Sequence, residues 1–183
     1  HAGTSLTTGE SNVCIGSGAL DVATTALQNV SIGLNSMGGV AAGQAINGCV
    51  AIGHDALLGT GSTTTGANFS IAIGSSALAA LTSGQENVAI GYQSLDAVTD
   101  SNWNTAVGHQ ALSGVTSSGD GYNTAVGNRA GLTLSSDGSR YNVLIGARAG
   151  AAGTTGFTNN TVLGTFALDR CTTNASHNVA IGY

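Results

Sequence analysis

Short bursts of alternating apolar character recur ten times along the chain, each closed by a glycine. The first is Asn12-Val13-Cys14-Ile15-Gly16, and the same frame returns at residues 29–33, 49–53, 70–74, 87–91, 104–108, 123–127, 142–146, 160–164 and 178–182. The closing glycines are separated by 17, 20, 21, 17, 17, 19, 19, 18 and 18 residues. Positions below are counted from this glycine. Positions −3 and −1 are β-branched everywhere except at Leu163, and position −2 is mostly Ala, Ser or Cys. β-Branched residues suit a pleated strand, and side chains alternate across it, so each burst predicts a short strand with one bulky and one small face. The expectation is that the bulky face fills the core, with Ile15, Ile32, Ile52, Ile73, Ile90, Val107, Val126, Ile145, Leu163 and Ile181 in one buried column. The small column (Cys14, Ser31, Ala51, Ala72, Ala89, Ala106, Ala125, Leu144, Val162 and Ala180) would then suit close side-by-side packing with another chain.

A second apolar segment follows each glycine. Ala-Leu stands three and four residues on at Ala19-Leu20, Ala56-Leu57, Ala77-Leu78, Ala111-Leu112 and Ala167-Leu168, with Ala130-Gly131 and Ala149-Gly150 as variants. Another apolar residue often falls at position +7, as in Val40, Leu81, Val98 and Leu134, before a loop of Gly, Ser, Thr, Asn and Asp. Two short strands and two turns per unit describe one coil of a solenoid. The density of glycine and β-branched residues disfavours helix, and near-identical units at a near-constant period favour parallel, in-register stacking. The predicted fold is therefore all-β: a parallel β-solenoid (a β-roll or β-helix) of about ten coils of 17–21 residues, forming a single domain over residues 1–183. At the usual strand spacing, ten coils make a rod roughly 48 Å long.

Position −4 is Asn12, Asn29, Asn87, Asn104, Asn123, Asn142, Asn160 or Asn178 in eight coils, with Cys49 and Ser70 in the other two. In-register stacking lets such amides hydrogen-bond from coil to coil, which predicts a structural asparagine column. The invariant closing glycine predicts a positive φ or a close backbone approach.

Composition narrows the functional classes. The chain has 183 residues, and only 7% are charged against about 25% in an average soluble domain. It contains no lysine or proline, and its net charge is −5. These values exclude a basic nucleic-acid footprint and a polybasic membrane patch. No apolar run approaches the ~18 residues of a membrane helix. The three cysteines, Cys14, Cys49 and Cys171, fit no zinc spacing and read as small buried side chains. No HExxH, GxSxG or phosphate-loop pattern occurs. The expectation is a non-enzymatic protein with no cofactor and no metal.

The stretches Asn-Val-Ala-Ile-Gly-Tyr-Gln-Ser-Leu (residues 87–95) and Asn-Thr-Ala-Val-Gly-His-Gln-Ala-Leu (residues 104–112) resemble the Asn-x-Ala-Ile-Gly-x-x-Ala-Leu repeats of bacteriophage tail-fibre and spike shafts. They are also similar to the head repeats of trimeric autotransporter adhesins, and the resemblance covers nearly the whole chain. It implies an extracellular, cell-surface or virion-surface fibre, a left-handed coil and commonly a homotrimer. The adhesin-head repeats are shorter, near 14 residues, so their loop geometry does not transfer. The implied role is a structural module of a fibre that supports attachment. The alternative is a module that itself recognises a glycan or receptor on the host surface. Joining Tyr183 to His1 of another copy would place glycines 16 and 182 in the frame of a 17-residue unit. The expected partner is therefore the chain itself, as a head-to-tail filament, a homotrimer or a segment of a longer fibre.

Position −5 brings Trp103, Tyr122 and Tyr141 into three successive coils, with Phe69 two coils before Trp103. Stacking would line these rings along one edge, either as a glycan-binding strip or as a self-stacking ladder. Arg129 and Arg148 share position +2 in neighbouring coils, where an acidic glycan or a carboxylate such as Asp120 or Asp137 would relieve their repulsion. His54 and His109 share position +1 but lie three coils apart, about 14 Å, too far to share a metal. An ice-binding plane would need a regular threonine array, whereas Thr105, Thr124 and Thr161 sit at the expected core-facing position and Thr63, Thr64 and Thr65 share one loop.

Overall fold

The computed structural model describes all residues except 45, 60–65, 117–120, 135–137, 152–155 and 172–174. Ten three-residue strands follow one another: β1 (Val13–Ile15), β2 (Val30–Ile32), β3 (Val50–Ile52), β4 (Ile71–Ile73), β5 (Val88–Ile90), β6 (Thr105–Val107), β7 (Thr124–Val126), β8 (Val143–Ile145), β9 (Thr161–Leu163) and β10 (Val179–Ile181). They form one sheet in sequence order, and every pairing is parallel. Register is exact to the repeat: Val88 pairs with Thr105, Ala89 with Ala106 and Ile90 with Val107. The fold is the expected β-solenoid.

Which face points inward is the reverse of the expectation. Ala51, Ala72, Ala89, Ala106, Ala125, Leu144 and Val162 at position −2 are fully buried. Ile15, Ile52, Ile90, Val126, Ile145, Leu163 and Ile181 at position −1 are exposed, and Ile32, Ile73 and Val107 are half-buried. The predicted buried column therefore lies on the outer face, and the small column is not available for side-by-side packing. Thr105, Thr124 and Thr161 also face outward rather than into the core; Thr63, Thr64 and Thr65 lie outside the described residues.

The reason is the width of the coil. The interior is filled from the opposite wall by Leu20, Met37, Leu57, Leu78, Leu95 and Leu112 at position +4, and by Val40, Leu81, Val98, Val115 and Leu134 at position +7, all fully buried. With these in place, only a small side chain fits on most of the inner strand positions.

The segment after the glycine is a turn and not the second strand the pattern suggested. Its residues at positions +2 and +4 are left-handed in successive coils, as at Gln93 (φ 51°), Leu95 (φ 50°), Gln110 (φ 54°) and Leu112 (φ 52°). Alternate left-handed residues break the pleat but still aim amides along the solenoid axis. Leu95 donates to the Ala111 carbonyl at 3.0 Å and Leu112 to the Ala130 carbonyl at 2.9 Å, so this wall is hydrogen-bonded from coil to coil without being a sheet.

The closing glycines have φ between 120° and 144°. At Gly74 an added Cβ would stand 2.6 Å from the Gly91 carbonyl oxygen. A side chain is excluded there both by conformation and by the next coil's backbone.

Candidate functional site

The asparagine column is a continuous hydrogen-bonded ladder from β5 onward. Asn104 donates through its backbone and side-chain nitrogens to Asn87 Oδ1 at 2.9 and 3.2 Å. Asn123, Asn142, Asn160 and Asn178 repeat this double donation to the preceding amide, as Asn29 does to Asn12. The side chains of Asn12, Asn29, Asn87, Asn123, Asn142 and Asn160 also close their own coils; Asn87 Nδ2, for example, reaches the Ser101 carbonyl at 2.8 Å. At the two substituted coils, the Cys49 amide donates to Asn29 Oδ1 at 2.9 Å and the Asn87 amide to Ser70 Oγ at 3.2 Å. Asn29, Asn87, Asn104, Asn142 and Asn160 are fully buried, so these bonds satisfy polar groups that have no solvent to fall back on.

The aromatic residues come together on one edge. Trp103 stacks on Tyr122 with centroids 4.9 Å apart and planes 13° from parallel, and Tyr122 stacks on Tyr141 at 5.0 Å and 9°. Each occupies a left-handed corner before its strand, at φ 56°, 49° and 60°. Position −5 is left-handed in every coil, whether it holds Ser11, Phe69 or His177, so the corner is set by the coil and the ring is what this sequence places there. Phe69 occupies the same column, more exposed than the three stacked rings and outside their stack. The stacking direction matters chemically. Sugars pack on the faces of aromatic rings, and here the faces of Tyr122 are covered by its two neighbours, leaving ring edges toward solvent. The outer face of Tyr141 carries the Arg140 guanidinium, 5.9 Å from its centroid.

The two arginines at position +2 turn away from each other. Arg129 Nε donates back to Gln110 Oε1 at 3.0 Å, extending a ladder in which Gln110 donates to Gln93 at 3.0 Å. Arg148 reaches forward to Asp169 at 3.2 Å and lies over Phe166, 5.4 Å from its centroid. The pair therefore forms no common anion clamp. Asp120 and Asp137, the carboxylates expected to serve them, lie outside the described residues. Asp169 was legible only as a lone carboxylate at position +5 of the following coil. Arg148, Phe166, Asp169 and Arg170 line an open depression of about 400 Å³.

His109 stacks on Tyr92 at 5.4 Å, and its Nδ1 lies 3.3 Å from Asn128 Nδ2. His54 pairs with its neighbour Asp55 at 3.3 Å. Among the described residues, no group of three or more His, Cys, Asp or Glu could hold a metal ion, and no helix is long and apolar enough to cross a membrane. No protein-family model, curated protein or solved structure matches the chain.

What the side chains do bring together is a surface. Positions −3 and −1 of all ten strands form two outward columns made only of Val, Ile, Thr and Leu. Of the large apolar side chains exposed among the described residues, all but Val22, Leu27 and Phe166 belong to these columns or to the flanking positions −5 and +1.

Proposed function

We propose that the chain is a non-enzymatic structural module of an extracellular, cell-surface or virion-surface fibre, a stiff spacer that supports attachment. The observation that carries this reading is the ladder of ten strands in unbroken parallel register, reinforced by the asparagine column. Such a module gains length one coil at a time, and each coil contacts only its neighbours, so stability and reach scale together. The chemistry is invested in the axis: amides, glycines, stacked rings and glutamines all interact between coils. The partner in this reading is the chain itself. Among the described residues β1 pairs with β2 and β10 with β9 in the same register as the strands between them, so a further coil fits the ladder on either side, end to end.

The alternative, direct recognition of a glycan, would have to use ring edges and hydroxyls at Tyr122, whose two faces are occupied, or a ring outside the stack such as the more exposed Phe69.

Two measurements test the reading. Deleting residues 92–108, one 17-residue unit, should leave a folded protein whose end-to-end distance, read by fluorescence energy transfer, is shorter by about 4.8 Å. Loss of folding on removal of a single coil would contradict modular spacing. A glycan array showing a specific ligand, lost in Trp103→Ala or Tyr141→Ala, would replace the spacer reading with the recognition one.

A further inference from the structure

We infer that the outer face of the sheet is an interface, and that its occupant is the same face of one other copy of this chain, related by a two-fold axis. The inference rests on the fold alone and does not depend on the fibre role.

The first argument is area. Twenty side chains exposing on the order of 50 Å² each present roughly 1,000 Å² per copy, above the ~800 Å² per partner of a standard interface. Seventeen of the twenty are Val, Ile or Leu, and their share, about 850 Å², still exceeds the roughly 300–600 Å² of the largest apolar patch typical of a monomer. Ile52 (36%), Ile90 (37%) and Val126 (38%) keep the face open through the middle of the sheet, where their column neighbours are half-buried, and exposure rises toward the end coils, as at Ile15 (57%). The second argument is charge. Columns −3 and −1 hold no ionisable residue, and all four arginines lie outside them and their flanks, at positions −6, +2 and +6. A face that excludes charge from its centre has the composition of a buried interface.

The third argument selects the partner. The two columns repeat at the coil rise, with identical or nearly identical side chains stacked in register. The surface whose ridges match that pitch over its whole length is another such ladder. Two of them can interdigitate β-branched side chains in a dry contact, as facing sheets do about 10 Å apart. The fourth argument selects the symmetry. A two-fold contact needs one self-complementary patch, whereas a closed three-fold ring needs two different patches on each copy. Apart from Val22, Leu27 and Phe166, the exposed large apolar residues occupy one patch.

The test is the mass of the protein in solution, by light scattering on a size-exclusion column at 10–100 µM, for three proteins. The unaltered chain should run at about 36 kDa, twice its 17.8 kDa, or at whole multiples of that pair where the end coils also join. Ile90→Lys combined with Val107→Lys should run at the monomer mass with an unchanged circular dichroism spectrum, because both side chains point outward and their loss opens no cavity. Thr99→Lys, on an exposed turn away from the sheet, should remain dimeric. A monomeric unaltered chain, a three-fold particle, or a dimer that persists with both lysines in place would each overturn the inference.

Discussion

Strands β5 and β6 and the region around β8 fill the same interior by opposite means. In β5 and β6 the inward residue is Ala89 or Ala106, and the following turn supplies Leu95 or Leu112 in a left-handed conformation, φ 50° and 52°. Around β8 the inward strand residue is Leu144, and the turns on either side carry Gly131 and Gly150 at φ 62° and 60°. A Cβ built on Gly131 would lie 2.8 Å from Leu144 Cδ1, and one built on Gly150 would lie 3.0 Å from Leu144 Cδ2. Leu144 therefore occupies the space that two turn leucines would otherwise fill. The first arrangement accepts leucine in a backbone region that disfavours it by roughly 1–2 kcal/mol per residue. The second gives that conformation to glycine and moves the apolar volume to the strand. What is held constant from coil to coil is filled volume, not residue identity.

The sharpest way to break the second arrangement is Leu144→Ala. The glycines beside it have no side chains to collapse into the void, which puts the loss at the upper end of the range for buried leucine, about 3–5 kcal/mol. Chemical denaturation of the two proteins reads this directly. A loss below about 1 kcal/mol would mean that Leu144 is not what fills the space.

The ladder offers the next largest effect. Asn104→Ala removes the acceptor of two bonds from Asn123 and a side-chain donor to Asn87 and to Ser101 Oγ, the last at 2.9 Å. Stranding buried donors costs about 1–3 kcal/mol each, so a total near 3 kcal/mol is expected. Hydrogen exchange should speed up most at the Asn123 amide. If protection there is unchanged, Asn104 Oδ1 is not what holds that amide.

Gly131→Leu should cost a comparable amount, about 2–4 kcal/mol, through overpacking against Leu112 and Leu144 together with the left-handed backbone it forces on leucine. Its informative feature is the coupling. Combined with Leu144→Ala, the new leucine has a void to enter, and the double variant should be more stable than Leu144→Ala alone. Strictly additive losses would show that the two sites do not share one space.

This exchange also explains what the sequence does and does not reveal. The strands, their parallel register, the asparagine ladder and the aromatic stack are legible because each depends on residues recurring at one offset. The direction of the strand faces is not, because β-branched preference reports fit to a pleated backbone rather than burial. The inward face follows only from adding the volumes at positions −2, +4 and +7, where Leu95 and Val98 leave room for no more than Ala89. The pattern after the glycine predicts a strand where a turn stands because its apolar spacing alone carries no mark of left-handed backbone. Gly131 and Gly150 were that mark, standing where leucine usually does. The arginines could not be read because their partners, Gln110 and Asp169, lie in different coils on opposite sides.

The smallest effect lies in the coil where the column holds Cys49 instead of asparagine. Its Sγ donates to the Ala67 carbonyl at 2.9 Å, and the side chain is fully buried. Burial pushes the thiol from 9.0 up to about 11, partly offset by the amides of Ser70 and Phe69. The unfolded chain thus ionises this thiol first as pH rises. The stability due to the neutral buried form is complete below about pH 9 and is lost as pH rises through about 11, a change on the order of 2 kcal/mol. Cys49→Ser keeps a donor to Ala67 but does not titrate in this window. Its stability should match the unaltered chain near pH 7 and fall less steeply between pH 9 and 11. Parallel pH profiles for the two proteins would show that the thiol is not held neutral in the column and that its titration adds nothing to stability.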